Sequence, residues 1–454
     1  MEFNHGSQFL VAVVGAGPAG LFAARQLASE GAHVVVFNRD VKPGGLAEYG
    51  IYPDKYKMKD GLRKQFRQLL SLPQIEYYGN LTVGQNGDLT LDDLRQAGFQ
   101  AILVTVGAQG TKWLGLPGEV LRGVYHAKDL VYHYNHLPPF SEQAFSIGRR
   151  VVIVGVGNVM LDIAHYVIHD LKVDEVVAVA RRGPAEVKFD KPEMEYVAAN
   201  LDVAALDAEL ERCRPIMEAV GQDVAKARAY ILAAQASAQP AMANTRFRLE
   251  FLGSPHALVP SADEPGRVAG LQVEDTTLVA SNGDTKARGL GTHRVIPGDT
   301  VIFAIGDRVD ETFGLPVKWN AFVKNPEPRF PVAGVCYEAF DPAAGQPIPD
   351  VFMAGWAREA STGLVGAARK DGTNGAQAVL QYLRTLPALG ATRLEALRQQ
   401  IDRLDKPVVT KADWQRLEAL EQSLAKEQGR HEFKYDSNQA MLAAMGLGQP
   451  APGD

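Results

Sequence analysis

The chain has 454 residues, of which 46% are hydrophobic and 22% charged, as in ordinary globular proteins of two or three domains. Its formal net charge of −6 gives no general attraction for nucleic acid or anionic membranes. The two cysteines, Cys213 and Cys336, form no C-x-x-C pair, which excludes a dithiol redox centre and a cysteine-ligated iron–sulfur cluster within the chain. This cysteine usage also fits a reducing cytoplasm, and neither a signal peptide nor a membrane span is expected.

The first element in the chain is a predicted strand at Val11–Val14 that runs into G-A-G-P-A-G and then into a helical pattern, Leu21–Ser29. A second apolar strand follows at Ala32–Phe37. In this strand–turn–helix–strand arrangement, Gly15 permits the tight turn and Gly17 lets backbone N–H groups approach a pyrophosphate, while Gly20 allows close packing. The unit predicts a dinucleotide site, and the alternative is a glycine-rich turn without a ligand.

One position in this unit departs from the expected pattern. The acidic residue that bonds a ribose hydroxyl at the end of the second strand is replaced by Asn38, which Arg39 and Asp40 follow. An asparagine amide can both accept and donate such a bond. Either Asn38 or Asp40 is therefore the expected ribose partner.

The next segment completes the first nucleotide fold. The loop Pro43–Asp54, rich in glycine and proline, either lines a flat cofactor or is a surface loop. Further predictions are a helix at Lys57–Ser71, a helix start at Thr90, and strands at Ile75–Val83 and Ala101–Val106. The last strand ends at Gly107, and the first domain boundary is placed near residue 108.

A second strand–turn–helix opens at Arg149, with Gly155 and Gly157 at the turn and Met160 in the third glycine position. We expect strand and helix to lie further apart there. The following strand, Glu175–Ala180, ends in two arginines, Arg181 and Arg182, where an acid would select NAD. Guanidinium groups suit a 2′-phosphate, so this fold is predicted to prefer NADP(H). The alternative is a solvated basic strand end.

The rest of the chain is predicted as alternating segments. Residues 206–240 are helical, strands follow at Phe247–Pro255, Gly270–Val279 and Thr300–Ile305, and the inserted domain ends near residue 330. An apolar strand beginning at Val351 leads through Thr362-Gly363 to a helix ending near Arg384. The tail from Arg393 to Gly446 reads as two or three helices with Trp414 as an apolar anchor.

Five motifs together resemble the ferredoxin/adrenodoxin-NADP+ reductases of the adrenodoxin-reductase type, which are related to the flavoprotein half of the glutamate synthase small subunit. These motifs are V-G-A-G-P-A-G, G-x-G-N-V-x-L-D-I-A, A-R-R-G-P-A-E-V-K-F, F-L-G-S-P and G-W-A-R-E-A-S-T-G. The resemblance implies an α/β fold with two Rossmann-like dinucleotide-binding domains, glutathione-reductase-like in arrangement. The NADP(H) domain, 109–330, is inserted between the two parts of the FAD domain, 1–108 and 331–390, and a helical extension follows at 391–454.

The predicted site residues divide between the two cofactors, and no metal site is predicted. For FAD the candidates are Gly15, Gly17, Pro18, Ala19, Gly20, Asn38, Gly45, Leu46, Gly107, Gly355, Trp356, Gly363, Leu364 and Val365. For NADP(H) they are Gly155, Gly157, Asn158, Val159, Arg181, Arg182 and Glu193, with Gly363 at the shared border.

The resemblance also implies two catalytic candidates, Asp162 near the nicotinamide and Trp356 near the flavin ring. The alternatives are a first-turn helix acid for Asp162, a buried core side chain for Trp356 and a surface charge for Glu193. No candidate comes from the C-terminal tail.

The expected activity is hydride transfer from NADPH to FAD, followed by electron transfer to a ferredoxin-like iron–sulfur protein. Segment 42–52 leans toward the glutamate-synthase branch, and the insertion from Cys336 and Lys55 after Asp54 also depart from the family pattern. An alternative is therefore an NADPH-oxidising subunit of a larger iron–sulfur complex. A redox-inactive nucleotide-binding protein, favoured by Asn38 and Met160, is a third.

Overall fold

The computed structural model describes residues 9–281, 284–387 and 394–448. Within these ranges the strands are, in chain order, β1 (Phe9–Val14), β2 (Ala32–Phe37), β3 (Ile75–Tyr78), β4 (Ala101–Val104), β5 (Val124–His126), β6 (Arg150–Val154), β7 (Glu175–Val179), β8 (Arg246–Glu250), β9 (Gly253–Pro260), β10 (Val268–Ser281), β11 (Asp284–Pro297), β12 (Thr300–Phe303), β13 (Val317–Lys318), β14 (Ala321–Phe322), β15 (Glu338–Asp341) and β16 (Gln346–Met353).

The α-helices of the same ranges are α1 (Pro18–Ser29), α2 (Leu46–Tyr49), α3 (Tyr56–Leu70), α4 (Leu91–Gln96), α5 (Ala127–Tyr134), α6 (Asn158–His169), α7 (Lys191–Met194), α8 (Val203–Ala219), α9 (Val224–Leu232), α10 (Val365–Leu383), α11 (Leu394–Asp402), α12 (Lys411–Glu427) and α13 (Asn438–Ala444). In the described part of the chain, no helix is both long and apolar enough to cross a membrane. Of the predicted extension at 391–454, residues 391–393 and 449–454 lie outside the described ranges.

The chain divides into two compact units, and each is discontinuous in sequence. The first unit comprises residues 1–111, 132–142 and 306–454, and the second comprises 112–131 and 143–305. The chain thus returns to the first unit at Gly306, whereas the sequence placed this second domain boundary near residue 330. The physical reason is that Gly110 and Arg308 form a β-bridge, with a 2.7 Å hydrogen bond from the Gly110 amide, and Phe313 packs into a core of the first unit.

The first unit is built on a six-stranded sheet in the order β15-β16-β4-β1-β2-β3, in which only the β15–β16 pair is antiparallel. Strand β1 is buried on both faces, which explains its continuous apolar sequence. Val14 pairs in register with Phe37 of β2 and with Val104 of β4, and Met353 of β16 also pairs with Val104. The carboxyl ends of four parallel strands therefore meet at one edge, where open α/β sheets bind ligands.

Two helices of this unit pack closely through glycines. A Cβ added to Gly372 of α10 would lie 2.1 Å from the carbonyl oxygen of Ala19 on α1, so only glycine allows this approach. Within residues 394–448 of the C-terminal tail three helices follow, α11 to α13, and Trp414 of α12 is buried in the same core as β1. The prediction that Trp414 is an apolar anchor of the tail is confirmed by this burial.

The second unit contains a parallel five-stranded sheet, ordered β5-β12-β6-β7-β8, and an antiparallel sheet, β11-β10-β9. The strand predicted at Phe247–Pro255 is instead two strands. Leu252 has a φ of +53°, and the chain turns there from the parallel sheet into the antiparallel one. The sequence also did not predict the long partner strand β11, most of whose side chains are exposed.

Candidate cofactor sites

The glycine turn after β1 is closed so tightly that two of its glycines have no room for a side chain. Gly15 has a φ of +109°, and a Cβ there would lie 2.5 Å from the carbonyl oxygen of Thr105. A Cβ on Gly20 would lie 2.0 Å from the carbonyl oxygen of Gly15. The Thr105 hydroxyl donates to that same oxygen at 2.8 Å and joins the turn to the end of β4. These two glycines shape the turn itself.

Gly17 differs from its neighbours because nothing lies within 4 Å of the position that its Cβ would take. It is the N-cap of the twelve-residue helix α1, with Pro18 at the first helical position, and its φ of −77° is one that any residue adopts. The glycine is therefore required neither by packing nor by backbone conformation. An open face beside the amides of a helix N-terminus fits a pyrophosphate, as the sequence predicts.

Asn38, the candidate ribose partner at the end of β2, makes several hydrogen bonds within the protein. Its side chain is buried, its amide oxygen accepts from the Ala16 N–H at 3.1 Å, and its NH2 group donates to Asp40 O and Lys42 O at 2.8 and 2.9 Å. Both NH2 hydrogens and one lone pair of the oxygen are therefore used inside the protein, which gives Asn38 a fold-stabilising role, and its ribose bond stays a prediction. A carboxylate cannot donate, which explains why asparagine replaces the usual acid here.

The glycine-rich loop at residues 43–50 lies against the first turn. Gly44 donates from its amide to Ala16 O at 2.7 Å, and a Cβ on Gly45 would lie 3.0 Å from the Gly17 Cα. Gly45 has a φ of +50° and caps the short helix α2, which begins at the half-buried Leu46. The structure therefore places Gly45 beside Gly17, with Leu46 next in the chain, which fits a loop that lines a cofactor.

The segment after β16 brings a second set of predicted residues to the same turn. A Cβ on Gly355 would lie 2.7 Å from the Cβ of Ala19. Trp356 is half-buried, so it is not the core tryptophan of the alternative interpretation, and its indole N–H donates to Thr362 O at 2.9 Å. Gly363, with a φ of +77°, and Leu364 are exposed, whereas the half-buried Val365 begins α10. Gly107, with a φ of +73°, follows β4 at the same edge.

The sequence did not single out Asp371, which holds this segment in place. Its carboxylate accepts from the Gly355 N–H at 2.6 Å, from the Tyr337 hydroxyl at 3.1 Å and from Arg358 Nη2 at 2.7 Å. The Arg358 guanidinium also lies 5.0 Å from the centre of the Tyr337 ring. The sequence shows Arg358 directly after G-W-A and Asp371 in the following helix. The two are thirteen residues apart, and no local sequence pattern predicts an ion pair at that spacing.

The turn of the second unit repeats the geometry of the first. Gly155 has a φ of +125°, and a Cβ there would lie 2.3 Å from Ala304 O, whereas nothing lies within 4 Å of a Cβ on Gly157. Gly157 caps the twelve-residue helix α6, and Asn158 exchanges two 2.8 Å hydrogen bonds with Asp190. Met160, in the third glycine position, is fully buried. This turn also offers an open face to an anionic group.

The two arginines after β7 differ in their surroundings. Arg181 is exposed, and its carbonyl accepts from the Thr276 hydroxyl at 2.7 Å. Arg182 is half-buried and its guanidinium lies 3.7 Å from Asp284 and 3.4 Å from Thr285 O, both on β11. The side chain of Arg181 is therefore the more available of the two for a phosphate.

Three further candidates lie in the second unit. Asp162 is half-buried on the second turn of α6, which has no acidic residue in its first turn, so a first-turn helix acid is excluded. Val159, at the start of the same helix, is 42% exposed. Glu193 is half-buried in the four-residue helix α7. Asp162 thus belongs to the second unit, whereas Trp356 belongs to the first.

The cysteines take no part in these sites. Burial raises the pKa of the Cys213 thiol to about 12, so the nucleophilic thiolate is disfavoured. Burial also raises the pKa of Cys336, which lies in the other unit. Neither thiol has the low pKa of a redox-active dithiol.

The chain is similar over most of its length to proteins whose names describe NADPH-dependent reductases. Residues 9–204 match the family described as pyridine nucleotide-disulphide oxidoreductase. NADPH-ferredoxin reductase FprA of Mycobacterium leprae is 28% identical, over 96% of this chain and 98% of that protein. Human mitochondrial NADPH:adrenodoxin oxidoreductase is 27% identical, over 96% and 92% of the two chains. The solved structure of Mycobacterium tuberculosis FprA in complex with NADPH has the same fold, with a TM-score of 0.78 at 24% identity, covering 97% and 99% of the two chains.

Proposed function

Because the chain is a homologue of the NADPH-ferredoxin and NADPH:adrenodoxin reductases, we propose that it is an FAD-dependent oxidoreductase that passes electrons from NADPH to a ferredoxin-like iron–sulfur protein. The observation that carries this proposal is the repeated turn. Gly17 and Gly157 each cap a twelve-residue helix that follows an inner strand, β1 or β6, of a separate sheet, and each leaves an open face where a Cβ would point. Two such turns suit two dinucleotides.

Bound NADPH supplies a hydride, and bound FAD accepts two electrons and releases them singly. This chain's residues contribute binding and orientation. The amides at the start of α1, with Gly45 and Gly355 packed beside them, would hold the flavin pyrophosphate. Trp356, whose indole N–H donates to Thr362 O, is assigned to the ring end of the flavin site.

In the second unit the start of α6 would hold the pyrophosphate of NADP(H), through Gly157, Asn158 and Val159. Arg181 would bind the 2′-phosphate, with Arg182 in support, and Asp162 is assigned to the nicotinamide end of the site. Glu193 lies on a neighbouring short helix and is assigned a polar contact with the nucleotide.

Electrons leave to a separate partner, because two cysteines cannot ligate an iron–sulfur cluster that needs four thiolates. The partner is either a free ferredoxin-like protein or a tightly held iron–sulfur subunit. Gel filtration of the native extract separates these cases, since a free-standing reductase elutes near 49.2 kDa or a simple multiple of it. The scarcity of cysteine suits a reducing compartment, and we place the protein in the cytoplasm.

The nucleotide site is tested by kcat/KM for NADPH and NADH in Arg181→Ala, Arg182→Ala and the double variant. A charge-assisted hydrogen bond contributes about 1.5–3 kcal/mol, so losing both arginines should lower kcat/KM for NADPH by about two to four orders of magnitude. Arg181→Ala should have the larger single effect because Arg182 is partly engaged by β11. Arg228→Ala, which removes an exposed arginine paired with Asp207 in the same unit, is the matched control and should change neither value.

A wild type that prefers NADH, or a double variant weakened equally for both nucleotides, would contradict the NADP(H) assignment. The redox-inactive alternative is tested separately. A purified protein that is yellow and is bleached by NADPH excludes it, whereas a colourless protein that cannot be loaded with FAD would overturn the proposed function.

A further inference from the structure

A group of buried and half-buried charges lies beneath the cofactor loop and has no part in the chemistry proposed above. Its carboxylates belong to Glu48, Glu421 and Glu432, and its cations to Lys42, Lys59, Arg63 and Lys434. All seven residues lie in the first unit, and we call this group the charge cluster. Burying so many ionised groups is costly unless each is paired, so a specific arrangement is maintained here.

Glu48 is the centre of the charge cluster and lies on α2, directly behind the cofactor-lining Gly45 and Leu46. Its side chain is 4% exposed and accepts two hydrogen bonds from Arg63, at 2.8 and 2.7 Å. Lys42 approaches the same carboxylate at 3.2 Å and joins it to Glu421 of α12 at 2.5 Å. The position of α2 is thus fixed by charges from α3 and from the C-terminal tail.

Lys434, which follows α12, makes the most direct link between the tail and the loop. Its ammonium group donates to Glu48 O at 2.8 Å and to Asn135 O at 3.1 Å, and lies 3.2 Å from the Glu48 carboxylate. It also lies 4.9 Å from the centre of the Tyr49 ring. Lys434 therefore joins three segments of the first unit: the cofactor loop, residues 132–142 and the C-terminal tail.

The loop that Lys434 holds is the one that contacts the glycine turn. Gly44 bonds to Ala16 O, and Gly45 packs on Gly17. We propose that Lys434 and Glu48 are positioning residues for the flavin, through which the C-terminal tail holds residues 43–50 against the turn. This inference rests on the FAD site of the proposed function. It assigns the tail a role in cofactor retention.

The test compares Lys434→Met with Lys411→Met in flavin-free protein that is titrated with FAD. Lys411 is a matched control because it also joins the tail to backbone carbonyls, Leu72 O at 3.3 Å and Ile75 O at 2.6 Å, but these lie just before and at the start of β3 and not in the cofactor loop. Both variants should lower the urea midpoint. Only Lys434→Met should weaken FAD binding and speed FAD release, by about tenfold or more, as removal of a supporting residue does at metal sites.

Lys434→Gln is the graded variant, because its amide can still donate to one of the two carbonyls. It should release FAD at a rate between those of the wild type and Lys434→Met, and it replaces Lys434→Met if that variant does not fold. Unchanged FAD affinity in both Lys434 variants, or equal weakening in Lys411→Met, would overturn the inference. A wild-type protein that binds no FAD would instead overturn the proposed function.

Discussion

The two open glycines provide a paired test of the cofactor sites, because Gly17→Ala and Gly157→Ala are the same change in separate units. Each glycine is a helix N-cap with an extended backbone, φ −77° and ψ −179° for Gly17 and φ −114° and ψ −175° for Gly157, which alanine adopts without strain. Nothing in the protein lies within 4 Å of either new methyl group. Both variants should fold with a free energy of unfolding within about 1 kcal/mol of the wild type.

The effect on the ligands should be large and separable. A methyl group on the open face occupies the space assigned to a phosphate, and overpacking of this kind costs about 1–3 kcal/mol, so each variant should lose about 5- to 150-fold in affinity for its own cofactor. Gly17→Ala should bind FAD weakly. Gly157→Ala should keep its flavin and show a raised KM for NADPH. Flavin fluorescence titration and steady-state kinetics measure the two effects.

Gly20→Ala is the contrasting variant because its methyl group would meet the protein itself. The added carbon would lie 2.0 Å from Gly15 O, where 3.4 Å is an ordinary contact, and the neighbour is backbone that cannot rotate away. The cost should reach about 3 kcal/mol and appear as a lower urea midpoint in flavin-free protein. Full FAD affinity in Gly17→Ala, full NADPH affinity in Gly157→Ala, or wild-type stability in Gly20→Ala would each refute the corresponding geometric argument.

Three other predictions concern residues that stabilise the first unit. Asn38→Asp removes both amide donors to Asp40 O and Lys42 O, and urea unfolding should show a loss of about 2–4 kcal/mol, whereas an unchanged midpoint would contradict the assigned role. Although burial alone would raise the pKa of Glu76, its bonds with His33 and Arg398 lower it to about 2. The stability that these bonds add is therefore complete above about pH 4.5 and is lost as the pH falls toward 2. In urea unfolding measured over this pH range, the difference in free energy of unfolding between the wild type and Glu76→Gln should decrease to zero. Asp371→Asn should weaken FAD binding without changing the KM for NADPH, because it loosens Gly355 in the first unit only; an equal effect on both would refute this.

Local sequence was sufficient for the elements that depend on near neighbours. Strand β2 has the predicted bounds, Ala32–Phe37, because a continuous apolar run after a glycine turn has few other solutions. Thr90 starts α4 with a capping box that uses Asp93, three residues away. Both glycine turns and the two-domain fold followed from spacing within about thirty residues.

Tertiary structure decided the features that depend on distant partners. The sequence did not predict that the Asn38 amide bonds to Ala16, Asp40 and Lys42. It predicted one strand at Phe247–Pro255, where the chain turns at Leu252 between two sheets. Lys434 reaches Glu48 across 386 residues of sequence, and no periodicity encodes such a contact. Sequence patterns report the backbone's local preferences, whereas burial and pairing of charges arise only when remote segments meet.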